Sequence, residues 1–475
     1  MVKVEGMNDT STGSSAGNPG NPGNPGTPGN SGTPGNSGRT APDWVEHAIG
    51  WHVYPLGFTG APVHGERDDS QSGSGPDTGS ASNGAATADD TAPGKARLDH
   101  LVRWLDYVQE LGLNVLQLGP VFESATHGYD TLDYFRIDRR LGDDAAFDRL
   151  IAAAHERGIK VLLDGVFNHL SSSAPMFREA LADPDSEAAK LFDVDRSGEE
   201  PSAPCFEGHL DLVEFDHRAP ETAAFVEKVM RHWLDRGVDG WRLDAAYAVD
   251  PDFWSGVLAN VRADFPHAFI YGEVIHGDYV DIVGRSTMDS VTEYELWKAI
   301  WSSLKEQNFY ELEWTLGRHD TFLDSFVPVT FVGNHDVTRI ASQVGQDKAV
   351  LALVVLMTVG GVPLIYYGDE QGYAGVKEER FGGDDQVRPV FPDDPEELST
   401  LGAWVHNAHH QLIALRRRHP WLHRARVKVT SIANERLTYE ATGDGHSLTV
   451  ELEVTGKPSA EIRDGENVEF RYPRP

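Results

Sequence analysis

The sequence predicts an α/β fold: a (β/α)8 TIM barrel with a short subdomain inserted after its third strand and a small antiparallel β domain at the C-terminus. Three observations carry this. An amphipathic stretch, a glycine and a short apolar run follow one another three times. Eight strand candidates can be placed along the chain. Four of the apolar runs break off at a carboxylate, where the strands of such a barrel open into loops.

Taken in order, residues 1–40 repeat Gly-Asn-Pro and Gly-Thr-Pro units. They carry almost no apolar surface to offset the entropy of ordering, so a disordered tail is expected. The barrel domain is expected over 41–418, opening with a strand from His52 to Phe58. A Ser-, Gly-, Asp- and Thr-rich stretch at about 65–94 is read as a low-complexity loop insertion.

The helix that follows carries Leu98, Leu101, Leu105 and Val108 on one stripe and stops at Gly112. Phe147, Leu150, Ile151 and Ala154 lead likewise to Gly158, and Phe225, Val229, Trp233 and Leu234 to Gly237. After each glycine comes a short strand, at 113–116, 159–162 and 238–241. A left-handed glycine feeding a buried strand is how helix-to-strand units are punctuated.

The interval from Gly158 to Gly237 exceeds the preceding one by enough for a small irregular subdomain at about 170–217. Further strands are expected at 268–271, 290–294, 327–332 and 364–367, making eight. A last amphipathic helix bears Trp404, Ala408, Leu412 and Leu415. Beyond it the period changes to the alternation of antiparallel strands, so 419–475 is read as a small β domain.

Composition excludes several classes. Lys plus Arg number 41 against 74 for Asp plus Glu, a formal charge of -33. Such a surface repels nucleic acid and anionic lipid, so neither is an expected partner. The single Cys205 allows neither an intrachain disulfide nor a cysteine-rich zinc site. No secretory signal is readable at the N-terminus, and cytoplasmic residence is expected. The uncharged run from Ala349 to Gly368 is long enough to cross a bilayer, but Gly360-Gly361-Val362-Pro363 interrupts it. A buried helix, a turn and a central strand explain it better. The oligomeric state is left open.

The chemistry is carried by Asp164 after Val161-Leu162-Leu163, Asp244 in Gly240-Trp241-Arg242-Leu243, Glu273 after Tyr271-Gly272, and Asp336 after Asn334-His335. Arg242 and Asp244 lie two apart in a strand and face the same way, so the guanidinium is expected to keep Asp244 ionised, as a nucleophile requires. Glu273, with no basic neighbour closer than His276, suits a general acid. Asp336 would place a further negative charge near an oxocarbenium-like centre. Spacing between Asp244 and Glu273 decides between retention and inversion.

The blocks 164–169 (Asp-Gly-Val-Phe-Asn-His), 240–244 (Gly-Trp-Arg-Leu-Asp), 272–274 (Gly-Glu-Val) and 331–336 (Phe-Val-Gly-Asn-His-Asp) resemble, in order, the four signature regions of the α-amylase family of glycoside hydrolases. Residues 127–134 and 366–370 resemble two further segments, closest to the cyclomaltodextrinase, neopullulanase and α-glucosidase type. The resemblance implies Asp244 as nucleophile, Glu273 as acid/base and Asp336 as transition-state stabiliser. It implies Arg242 orienting the nucleophile, His169 and His335 binding the sugar, Tyr129 as its stacking platform, and Asp164 holding Arg242.

It therefore implies a retaining hydrolase of α-glucosidic bonds in malto-oligosaccharides or related α-glucans. The alternatives are a glucanotransferase or sugar isomerase using the same intermediate, and a non-catalytic sugar-binding relative. No cofactor is required. In many members a residue at the place of Asn168, with a carbonyl near Ala248, joins Asp side chains around a structural calcium, but the shortness of the inserted subdomain argues against that ion here.

Departures from the family pattern bear on specificity. Tyr247 and Ala248 stand where many relatives carry Lys and His facing the leaving sugar. Thr126 replaces an Asp of many exo-acting α-glucosidases, which argues against strict release of terminal glucose. Residues 213–216 match a diagnostic segment only loosely. Arg388 is expected either to touch substrate or to form a surface salt bridge.

Overall fold

Gly112, Gly158 and Gly237 have φ of 92°, 70° and 98°, the left-handed turn that ends a helix and that side chains resist. They follow helices α1 (Leu98–Leu111), α2 (Asp144–Glu156) and α3 (Pro220–Asp235). The predicted stripe of α1 is buried throughout. In the computed structural model, residues 41–63, 96–380 and 382–473 are described. The expected tail over 1–40 and the whole of the 65–94 insertion lie outside the described residues.

Eight strands build the barrel: β1 (Gly50–Val53), β2 (Val115–Leu118), β3 (Lys160–Gly165), β4 (Gly240–Leu243), β5 (Phe269–Gly272), β6 (Ser290–Val291), β7 (Val329–Phe331) and β8 (Val362–Tyr366). They pair in parallel in the order β6-β5-β4-β3-β2-β1-β8-β7. A parallel bridge between Thr292 and Val329 joins β6 to β7 and closes the ring. Every residue of β1, β2, β4, β5, β7 and β8 is buried, as expected of strands covered on both faces.

Three expectations are corrected. The first strand ends at Val53, because Pro55 has no N–H to give a ladder and starts a helical turn, Pro55–Phe58, closed by Phe58 N–H to the Tyr54 carbonyl at 2.9 Å. The sixth strand keeps only Ser290–Val291, since Tyr294 opens a helix, Tyr294–Glu306. Trp404 of the last helix, α5 (Ala403–Arg418), is 39 % exposed and stacks on Tyr472 instead of entering the core.

The uncharged run divides as its glycines require, into α4 (Gln346–Thr358) and then β8. Among the described residues no helix is long and apolar enough to cross a membrane.

Between β3 and α3 lie a short hairpin, His169–Ser171 with Leu212–Glu214, and a helix, Pro175–Ala182. After α5, strands β9 (Arg426–Ala433), β10 (Arg436–Gly443), β11 (His446–Glu453), β12 (Ser459–Asp464) and β13 (Asn467–Tyr472) form a five-stranded antiparallel meander. Its buried face, with Leu437, Tyr439, Leu448 and Val450, continues the barrel core, and the Tyr439 hydroxyl meets the Thr358 hydroxyl of α4 at 2.6 Å.

Candidate active site

Strand register assembles the site. β3 pairs with β4 so that Asp164 lies beside Arg242, and β4 pairs with β5 so that Leu243 lies beside Gly272. Asp244 and Glu273, the residues that follow, therefore leave the barrel side by side at its C-terminal mouth. Gly272 is needed for this approach: a Cβ there would meet the Met288 sulfur at 2.6 Å and Ala246 at 2.9 Å.

Arg242, 5 % exposed at its side chain, organises three carboxylates. Its Nη1 lies 2.5 Å and 2.6 Å from the two Asp164 oxygens and 3.2 Å from Asp244 Oδ1; Nη2 lies 2.7 Å from Glu273 Oε1. Such crowding of negative charge raises the guanidinium pKa despite burial. Glu273 is further fixed by the Ala245 N–H, donated to Oε2 at 3.1 Å, and by the Tyr294 hydroxyl, donated to Oε1 at 3.0 Å. Asn334 Nδ2 in turn donates to Tyr294 at 2.9 Å.

The expectation that Arg242 keeps Asp244 ionised is corrected. Burial pushes the Asp244 carboxyl well above the ordinary carboxylate range, and the neighbouring charges of Glu273, Asp164 and Asp336 add to it against the pull of Arg242. One guanidinium is shared among three carboxylates, so burial and like charge work against its pull on Asp244. The i, i+2 spacing shows that Arg242 is near but not how many acids divide it.

Asp336 behaves oppositely. Burial works to raise it, but His335, Lys377 and Arg388 outweigh burial and hold it well below the usual range, with a third of its side chain open to the cleft. His335 Nε2 lies 2.9 Å from Asp336 Oδ2 and 2.5 Å from the Tyr129 hydroxyl, which donates to Asp164 at 2.9 Å. The His335 ring runs nearly parallel to Tyr129 and to Tyr54, with centroids 5.2 Å and 6.0 Å away.

Arg388 forms ion pairs, but they are buried beside Asp336 and not the surface salt bridge expected. Its guanidinium reaches Asp336 at 3.0 Å, Asp384 at 3.1 Å and the His335 carbonyl at 3.1 Å, and lies over Tyr54.

His169 stands on the adjoining wall, its ring stacked 4.7 Å from Phe206; burial drives its pKa down to about 3, so it is a neutral imidazole. Its Nε2 is buried and makes no hydrogen bond of good geometry among the described residues. The structure thus brings Tyr129, Asp164, His169, Arg242, Asp244, Glu273, His335 and Asp336 to one rim.

Sequence reading missed Tyr294, Tyr54 and His52. Tyr294 carried no signal, lying three positions beyond the barrel strand. His52, whose ring lies 5.1 Å from His335, sits in β1 and Tyr54 follows its last residue; both could have been found by asking which strand end lacked a polar contribution.

Asn168 Nδ2 contacts the His169 ring at 3.2 Å, and among the described residues no group of three His, Cys, Asp or Glu side chains is placed to hold a metal. A hard cation needs six or more oxygens.

Comparisons with known proteins agree with this geometry. The description "Alpha amylase, catalytic domain" matches residues 88–399. Neopullulanase 2 of Thermoactinomyces vulgaris is 29 % identical over 459 residues, covering 90 % of this chain and 75 % of that protein. A cyclomaltodextrinase of Geobacillus thermopakistaniensis is 28 % identical over 439 residues, covering 89 % and 71 %. Among solved structures, the debranching enzyme of Nostoc punctiforme superposes with a TM-score of 0.69 at 26 % identity, over 89 % of this chain and 90 % of that one. The chain belongs to the α-amylase family of glycoside hydrolases.

Proposed function

We propose that this protein is a retaining glycoside hydrolase that cleaves α-glucosidic bonds in malto-oligosaccharides or related α-glucans through a covalent glycosyl-enzyme on Asp244. The observation that carries the reading is the sharing of Arg242 by Asp244 and Glu273 through its two neighbouring nitrogens, at 3.2 Å and 2.7 Å. Sharing one guanidinium keeps the two carboxylates near each other, which is compatible with the close spacing of about 5 to 5.5 Å that double displacement requires.

In the first step Asp244 attacks the anomeric carbon while Glu273 gives its proton to the departing glycosidic oxygen. In the second, Glu273 takes a proton from the water that releases the sugar. Burial favours the neutral form of Asp244, whereas bond breaking needs Asp244 ionised and the proton on Glu273. Charge developing on the sugar ring favours that state, because it stabilises an ionised Asp244. Asp336, held as an anion by His335 and Arg388, adds to the same field.

Tyr129 supplies an aromatic face beneath the ring, and His169 a neutral imidazole beside it. In this reading residues 41–418 are the catalytic barrel, 170–217 a wall of its cleft, and 419–475 a cap on the core.

The test is maltotriose hydrolysis followed by proton NMR of fresh product. Release of the α-anomer is expected. The β-anomer, or no release from maltose, isomaltose, sucrose, trehalose, cyclodextrin or pullulan, overturns the reading. Products longer than maltotriose would shift it to the transferase alternative.

A further inference from the structure

At the N-terminal base of the barrel, far from the candidate acids, two adjacent arginines of α5 turn inward without an acid to pair with. Arg416 gives its four Nη hydrogens to the carbonyls of Met357, Val359, Gly361 and Leu422 at 2.7 to 3.3 Å. Arg417 gives Nε to the Gly112 carbonyl at 2.9 Å, Nη2 to the same carbonyl at 2.7 Å and to Asn114 Oδ1 at 2.8 Å, and Nη1 to the His47 carbonyl. A guanidinium has five N–H donors, so among the described residues the Arg416 Nε–H and one Arg417 Nη1–H are left over. Arg418, the next residue, pairs instead with Glu469 at 2.6 Å.

Carbonyl dipoles solvate a cation without cancelling its charge. Burial and Arg417 accordingly draw Arg416 down to about 9, burial draws Arg417 down as well, and no carboxylate pulls either of them back up. The two arginines line a cleft of about 30 Å³ together with His47, Gly361, His423 and Glu46. Burial, then Arg416, Arg424 and His47, push His423 down to about 3, so it is a neutral imidazole with an N–H to give. Glu46 is the one acid among the lining residues; it is exposed and forms an ion pair with neither arginine. Three segments meet at the cleft: the helical turn Asp43–His47, the glycine turn between α4 and β8, and the turn Pro420–Arg424 that leads from α5 into the C-terminal sheet. The Gly361 N–H, donated to the His423 carbonyl at 3.0 Å, ties the last two.

We propose that this cleft binds a small monovalent anion of halide size, which neutralises the arginine pair and fastens the barrel base to the turn entering the C-terminal sheet. The inference is independent of the function proposed above. Two buried like charges side by side are costly without a counter-charge, and this chain, at a formal -33, has acids in abundance that it places elsewhere. The space admits about one or two water-sized occupants, which a monatomic anion matches. The donors left over come singly, from Arg416, Arg417 and His423, and not as the two-pronged fork that grips an oxyanion, so a spherical ion suits them better.

The test is the melting temperature of the full chain at neutral pH and constant ionic strength, as sodium gluconate is replaced stepwise by sodium chloride or, in a second series, by sodium phosphate. Chloride should raise it along a saturating curve, as a ligand that binds only the folded state does. Glu46→Gln removes the competing charge at the cleft and should lower the half-saturating chloride concentration about twofold to fivefold. Arg417→Gln removes a cation and a donor and should raise it about tenfold or more; should that variant fail to fold, Glu46→Gln, at an exposed position, decides alone. A rise that never saturates, a half-saturation that Glu46→Gln leaves in place, or saturation by phosphate with none by chloride would each overturn the proposal.

Discussion

Two arginines, equally buried, sit at opposite ends of the barrel. Arg242 at the C-terminal mouth contacts three carboxylates. Arg416 at the N-terminal base contacts none; its guanidinium donates to the carbonyls of Met357, Val359, Gly361 and Leu422 at 2.7 to 3.3 Å. Their acidities diverge accordingly: charge around Arg242 raises its pKa, while burial, with Arg417 nearby, draws Arg416 down to about 9.

At the base, a cation satisfies the carbonyls left over where α4 ends and β8 begins, which is structural work. At the mouth, one cation is outnumbered, and the surplus negative charge points into the cleft. That surplus is what a positively charged transition state needs, and it makes the mouth the less stable end.

The comparison is broken most severely by removing the acids. Asp244→Asn and Glu273→Gln should each lower turnover by about a thousandfold or more while the melting temperature holds or rises, because each relieves like-charge crowding. Steady-state kinetics and calorimetry on the same samples check this, and a rate within tenfold of normal in either variant would contradict the assigned roles.

Arg242→Met should cost both properties: turnover by about a hundredfold or more, and stability by about 3–5 kcal/mol, since buried carboxylates lose their counter-ion. Arg416→Met sharpens the contrast. It leaves carbonyls unpaired and should lose about 2–4 kcal/mol in denaturant unfolding, with kcat per folded molecule retained.

The smallest effect expected concerns pH. Burial raises Asp369 to about 6 and Glu370 to about 7, both behind β8 and away from the three candidate acids. Folded carboxyls with raised pKa bind protons that the unfolded chain has already released. Stability from this source is therefore full below about pH 4 and declines as pH rises toward 7. Glu370→Gln imitates the protonated carboxyl and should flatten that decline by about 2–3 kcal/mol between pH 4.5 and 7. A slope identical to that of the unsubstituted protein would show that Glu370 ionises normally.

Much of the fold was legible because local rules are strong. Leu98, Leu101, Leu105 and Val108 announce a helix by spacing alone, and Gly112 its end, since few other residues take that φ. The errors fell where a distant contact overrode local preference. Trp404 suits a core stripe, but Tyr472, in the last strand, holds it at the surface. Tyr294 suits a strand, but its hydroxyl is drawn to Glu273.

For the candidate site, the sequence by itself determined which acids stand at strand ends and which arginine and histidines accompany them, because alternation and strand length are properties of neighbours along the chain. Only the tertiary structure decided how they divide their partners. That Asp164, Asp244 and Glu273 share one guanidinium and that Arg388 reaches Asp336 are facts about residues tens of positions apart. Burial and charge act through space, so the upward shift of the Asp244 carboxyl follows from the assembled barrel and not from the arginine two residues before it.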